Sequence, residues 1–172
     1  MVTGSAVIDA NRFRATLAAA AGFVSKDAAR PILTGVRVEY HPGTAADGDG
    51  GHLTMVATDS HRLAVFPVPA EVTGEPGPVL LSPDTVAAIR NLLSPGIVGR
   101  NPGPVTLELS DPDTVIFDNG AGGWTTGESI AGEYPNYRGL IPEFNSSGGA
   151  VAFNPAYVEG IGKAFRVLLA GS

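Results

Sequence analysis

Polar and apolar residues alternate along ILTGVRVEY (32–40) and LTMVATDSHRLAVFPV (53–68), two runs rich in β-branched side chains. The segment between them, HPGTAADGDGG, favours a turn through its Gly and Asp content, so the pattern predicts a hairpin with a long connection. Upstream, VIDANRFRATLAAAAGFVS (7–25) reads as a strand end, a cap and an alanine-rich helix. Phe13, Leu17, Ala20 and Val24 fall on one stripe of that helix, and Arg12 and Arg14 on the opposite face. LLSPDTVAAIRNLLS (80–94) predicts a second helix, with Ser82 as N-cap, Pro83 at the first helical position, and Val86, Ile89, Leu92 and Leu93 sharing a face. It is expected to stop at Pro95 and Gly96.

Strands are predicted at PVTLELS, TVIFDNG and GWTTGESI, the first two joined by the turn DPD. The order helix, strands, helix, strands indicates an α+β domain with helices packed on one side of antiparallel strands. After EYPNYRGLIPEF comes the polar, Gly-rich NSSGG, then a strand leading into a helix in AVAFNPAYVEGIGKAFRVLL. A boundary is therefore expected near residue 145, dividing a domain over 1–144 from a linker and helical segment over 145–172.

A chain of 172 residues that is 44% hydrophobic and 16% charged buries a real core and fills one full domain. The absence of cysteine excludes a disulfide framework and a thiolate metal site, and fits a reducing cytoplasmic setting. No apolar run reaches the roughly 18 residues of a membrane span, and MVTGSAVIDANRFR lacks the basic and apolar regions of a signal peptide. A net charge of −6 argues against holding nucleic acid by bulk attraction. A local basic face and a merely solvated helix face both remain open for Arg12, Arg14 and their neighbours.

Asp59, Ser60 and His61 are the side-chain types of a nucleophilic hydrolase, but nothing around Ser60 resembles the glycine-flanked turn that exposes such a nucleophile. On a strand, adjacent Ser60 and His61 point to opposite faces and are poorly placed to hydrogen bond. Catalysis is not expected. His41, His52 and His61 lack ligand spacing for a metal, and the Gly-rich loops lack a phosphate-binding order.

RPILTGVRVEY, LTMVATDSHRLAV and GEYPNYRGLIP resemble, in order and separation, the central domain of the bacterial DNA polymerase III beta subunit, the sliding clamp family. The resemblance covers roughly residues 6 to 142. FNPAYV (153–158) is similar to a strand-to-helix segment of the family's third domain, although it follows LIP sooner than an intact third domain allows. The resemblance implies a DNA-clamp fold and a non-catalytic processivity factor. Its subunits close head to tail as a ring oligomer around duplex DNA, with helices lining the hole and sheets outside.

It further implies a peptide-binding pocket at Leu33, Thr58, Ser60, His61, Arg62, Leu63, Pro135, Gly139 and Leu140, with Asn154 and Tyr157 from the last segment. The implied ligand is a motif of glutamine followed by leucine and phenylalanine, carried by the replicative DNA polymerase and the clamp loader. Gly139 stands where the family commonly has a long basic side chain, which makes one pocket edge shallower. Arg12, Arg14 and Arg90 are implied to face DNA; no metal or cofactor is implied. A complete subunit is about twice as long at ~100–150 residues per domain, so a fragment and a reduced clamp are both open. Alternatives from other classes are a peptide-binding module that forms no ring and, last, an enzyme.

Overall fold

In a computed structural model of the chain, residues 2–43, 51–99, 102–110, 113–141 and 155–170 are described. Asp9 ends β1 (Val2–Asp9) and caps α1 (Ala10–Ala20), its carboxylate accepting from the Arg12 N–H at 2.9 Å. Three strands follow: β2 (Val36–Pro42), β3 (Gly51–Thr58) and β4 (Leu63–Gly74). The sequence of elements then recurs as β5 (Val79–Leu81), α2 (Pro83–Leu92), β6 (Pro104–Ser110), β7 (Thr114–Asp118) and β8 (Trp124–Glu128). A strand, a helix and three strands thus appear twice. The short helix α3 (Pro95–Val98) follows α2, and α4 (Pro155–Ala170) closes the described chain.

The eight strands form one antiparallel sheet in the order β5-β2-β3-β4-β1-β6-β7-β8. The duplication is visible in its pairings: β1 joins β4 and β6, while β5 joins β2 and, through a bridge between Leu81 and Ser129, the end of the β8 strand. Phe13, Leu17 and Ala20 are fully buried, as their stripe predicts, and the Phe13 ring stacks on Phe117 of β7 with centroids 5.6 Å apart. Val86, Ile89 and Leu93 complete the same core from α2. Ser82 caps α2 by accepting from the Thr85 N–H at 3.1 Å, with Asp84 in the first turn and Arg90 in the last, each favourably placed on the helix dipole.

Two expectations are corrected. The run 53–68 is two strands, because residues 59–62 make a tight turn, and Ser60 and His61 therefore do not lie on a strand. α2 ends at Leu92, before Pro95 and Gly96 as expected, and Pro95 opens the separate short α3, since Pro suits a first helical position. Val24 lies past the end of α1, half-buried. The expected boundary near 145 and the strand before α4 lie outside the described residues; α4 itself packs on α1, and its Ala164 joins the main core.

Candidate functional site

The turn between β3 and β4 is built by its own side chains. Asp59 Oδ1 accepts from the N–H groups of His61 (3.0 Å) and Arg62 (2.8 Å), while Oδ2 accepts from Arg62 Nε (3.0 Å) and Nη2 (2.8 Å). Thr58 Oγ1 donates to the Arg62 carbonyl at 2.7 Å and accepts from the Ser60 N–H at 3.2 Å. Burial by itself would raise the Asp59 pKa, but the Arg62 and backbone hydrogen bonds outweigh it and hold the carboxyl below its ordinary value. Ser60 takes up φ of 77°, which a side chain rarely adopts, and its hydroxyl accepts from Arg30 Nη1 at 2.9 Å. The His61 ring instead stacks on Tyr157 of α4, centroids 6.4 Å apart. The Asp-Ser-His triplet is thus used as turn architecture.

Beside this turn is a cavity of about 320 Å³. One wall is the body of the domain: Phe23 just beyond α1, His61, Arg62, and Leu63, Ala64 and Phe66 of β4. The other is α4, through Tyr157, Ile161, Ala164, Phe165 and Leu168. The Arg62 guanidinium lies 5.1 Å from the centroid of the Phe23 ring and 5.1 Å from that of Tyr157, so it faces aromatic rings from both walls. An apolar depression with a few oriented polar groups suits a short extended ligand with hydrophobic anchors.

Of the residues expected at a pocket, His61, Arg62, Leu63 and Tyr157 meet in this cavity. Thr58 is buried in the turn, and Leu33 is buried in a 3-10 turn (Pro31–Leu33), where its carbonyl accepts from the Ser25 N–H at 2.7 Å. Ser60 faces solvent. Pro135, Gly139 and Leu140 are in or beside a second 3-10 turn (Tyr137–Leu140), away from the cavity lining, and Leu140 is 71% exposed. Leu63 links the two regions, because it also packs against a small core of Val56, Leu80, Tyr134 and Tyr137. Asn154 lies outside the described residues.

Residues 134–140 are moored by Glu39 of β2, a carboxylate with only 6% exposure. It accepts from Arg37 Nε (2.7 Å), the Tyr137 hydroxyl (3.0 Å) and Arg138 Nη2. Neither Glu39 nor the cavity residues Phe23, Phe66, Ile161, Phe165 and Leu168 were expected at a site. Phe23 lies three positions after Ala20 on the α1 stripe, and Ile161, Ala164, Phe165 and Leu168 follow Tyr157 at helical spacing. Among the expected DNA-facing residues, Arg12 and Arg90 are exposed on α1 and α2. Arg14 is half-buried and donates to Asn11 Oδ1 (3.0 Å) and to the Leu93 carbonyl at the end of α2 (3.4 Å). Among the described residues no helix is long and apolar enough to cross a membrane.

Residues 7–136 match the family model of the DNA polymerase III beta subunit, central domain. The beta sliding clamp of Caulobacter vibrioides is 34% identical over 125 residues, covering 72% of this chain and 30% of the relative. That of Micrococcus luteus is 30% identical over 152 residues, covering 88% of this chain and 45% of the relative. Among solved structures, a sliding clamp from Bartonella birtlesii bound to griselimycin superposes with a TM-score of 0.66 at 26% identity, over 83% of this chain and 36% of that one. A beta sliding clamp from Caulobacter crescentus gives 0.65 at 27% identity, over 83% and 35%. The chain thus spans less than half the length of these relatives.

Proposed function

This chain belongs to the family of the DNA polymerase III beta subunit, matching its central domain, and we propose that it works as a sliding-clamp component in the cytoplasm, encircling duplex DNA in a ring of copies and tethering partner proteins by short peptides. The observation that carries this reading is the apolar cavity at the turn, where the contiguous His61, Arg62 and Leu63 meet Tyr157 of the distant α4, all four implied by the family resemblance. The partners are the replicative DNA polymerase and the clamp loader, each presenting a motif of glutamine followed by leucine and phenylalanine. In this reading the peptide extends from the cavity past Leu63 toward the Pro135–Leu140 segment, where exposed Leu140 gains by being covered.

Arg12, Arg14 and Arg90 face the phosphates without reading bases, which suits a ring held by topology and an acidic chain. Binding to duplex DNA is accordingly weak, indifferent to sequence and weakened by salt. Titration of a labelled motif peptide by fluorescence polarisation tests the pocket. Leu63→Ala and Leu140→Ala each cost about 1–3 kcal/mol of binding. No binding at millimolar peptide, or binding unaltered in both variants, refutes the assignment. A second reading, a peptide-binding module without a ring, is favoured by α4 forming the far wall within the same chain. Molar mass by light scattering separates the two, a monomer at all concentrations supporting the module.

A further inference from the structure

The cavity wall formed by α4 needs something to hold it, because much of the helix touches solvent: Val158, Phe165 and Leu169 are 51%, 61% and 74% exposed. Its Ala164 and Leu168 pack on the main core, and its Tyr157 faces one cation, Arg62. Three features converge on that cation. The Asp59 carboxylate grips it through Nε and Nη2, which fixes the guanidinium plane at the mouth of the turn. Phe23 of the body and Tyr157 of α4 each lie 5.1 Å from it. Gly160, one helical turn after Tyr157, leaves the room it occupies, since a Cβ there would come within 2.6 Å of Arg62 Nη1.

We propose that Arg62 is a positioning residue: held by Asp59 and facing the rings of both Phe23 and Tyr157, it pins α4 to the body and so completes the peptide pocket within a single chain. The proposal rests on the peptide-pocket reading for its consequence, not for its geometry. A forked, delocalised cation is required, because an ammonium cannot face two rings while making a forked bond to a carboxylate. Asp59 neutralises the charge, so the wall stays apolar in its effect on a ligand. The His61 ring, 6.4 Å from that of Tyr157, extends the aromatic contact to the rim.

Hydrogen exchange on the full chain reads the pin without any peptide. Arg62→Ala raises exchange of the α4 amides by about fivefold or more, as expected for losing cation–π contacts, and changes those of β3 and β4 much less. Arg62→Lys behaves nearly as Arg62→Ala does. The double variant Arg62→Ala with Tyr157→Ala raises exchange by clearly less than the product of the two single effects, since both remove the Arg62–Tyr157 contact. Labelled-peptide binding weakens by a similar factor in Arg62→Lys. Exchange of α4 that is indifferent to Arg62, full rescue by Lys, additive effects in the double variant, or equal loosening of β3 and β4 overturns the proposal. Failure of the wild-type chain to bind peptide, with α4 still dependent on Arg62, overturns the peptide-pocket reading and its consequence while the docking role stands.

Discussion

Removing the Glu39 carboxylate releases the segment that carries Pro135 and Leu140, and the size of the effect follows from its partners. Glu39 accepts from Arg37, Arg138 and the Tyr137 hydroxyl, and its own side chain is 8% exposed against 24% for Arg37 and 64% for Arg138. Breaking a buried ion pair costs about 3–5 kcal/mol when the surviving charge stays buried. Arg138 rehydrates freely, so its share shrinks to the ~1 kcal/mol or less of a surface pair. Arg37 and Tyr137 are more enclosed, and losing a hydrogen bond to a charged acceptor costs about 1.5–3 kcal/mol. Glu39→Ala should therefore destabilise by about 2–4 kcal/mol and weaken peptide binding, while Glu39→Gln, which keeps an acceptor for Tyr137, costs about 1–2 kcal/mol. Urea denaturation at neutral pH measures both, and a cycle with Tyr137→Phe isolates the Tyr137 coupling. Burial by itself would raise the Glu39 pKa, but the hydrogen bonds from Arg37 and Tyr137 and the charges of Arg37 and Arg138 outweigh it and leave the pKa lowered. The stabilisation is thus fully present above the unfolded carboxylate value of about 4.3 and is lost as pH falls through the folded value. A Glu39→Ala chain within about 0.5 kcal/mol of wild type would refute the reasoning, as would a wild-type advantage over Glu39→Gln that persists undiminished into strong acid.

Ser60→Gly relieves a positive φ of 77° while giving up an exposed hydrogen bond from Arg30, so it should raise stability by about 0.5–1 kcal/mol, and a lower Tm in thermal unfolding contradicts this. His41 stacks on His52 at 4.4 Å and has its pKa lowered by burial first, then by the charge of His52; Arg138 acts in the same sense and Glu39 against it. Its stabilising effect is full above the ordinary histidine value of about 6.5 and is lost as pH falls through the folded value, so Tm should drop more steeply below neutrality in wild type than in His41→Gln. Equal slopes would show that His41 does not titrate against folding.

The two main helices were legible because every signal for them is local: Asp9 and Ser82 accept from the first-turn N–H groups, Pro83 suits its position, and the apolar stripes match the buried residues. The duplication was legible as an alternation of helices and strand groups. The bridge from Leu81 to Ser129 was not, since pairing between residues far apart leaves no trace in local periodicity. The turn at 59–62 was hidden for a different reason. Its only turn signals, Asp59 and Ser60, sit inside a long alternating run without glycine or proline, and there the aspartate side chain accepts from the turn N–H groups while the serine takes the positive φ.

The site divides along the same line. Residues at the turn could be singled out because a resemblance carries them as one contiguous block, and once the turn forms, His61, Arg62 and Leu63 leave it together toward the cavity. The opposite wall depends on α4 lying against α1, a tertiary fact that helical spacing cannot announce: a stripe of Tyr157, Ile161, Ala164 and Leu168 says that a face is apolar, not what it meets. Arg62 belongs to both halves. Its place in the block follows from the turn and its two bonds to Asp59, but its contact with Tyr157 exists only after the helix has docked. A cation that reads in the sequence as a polar lining group is, in the folded chain, the point where a local turn and a distant helix are joined.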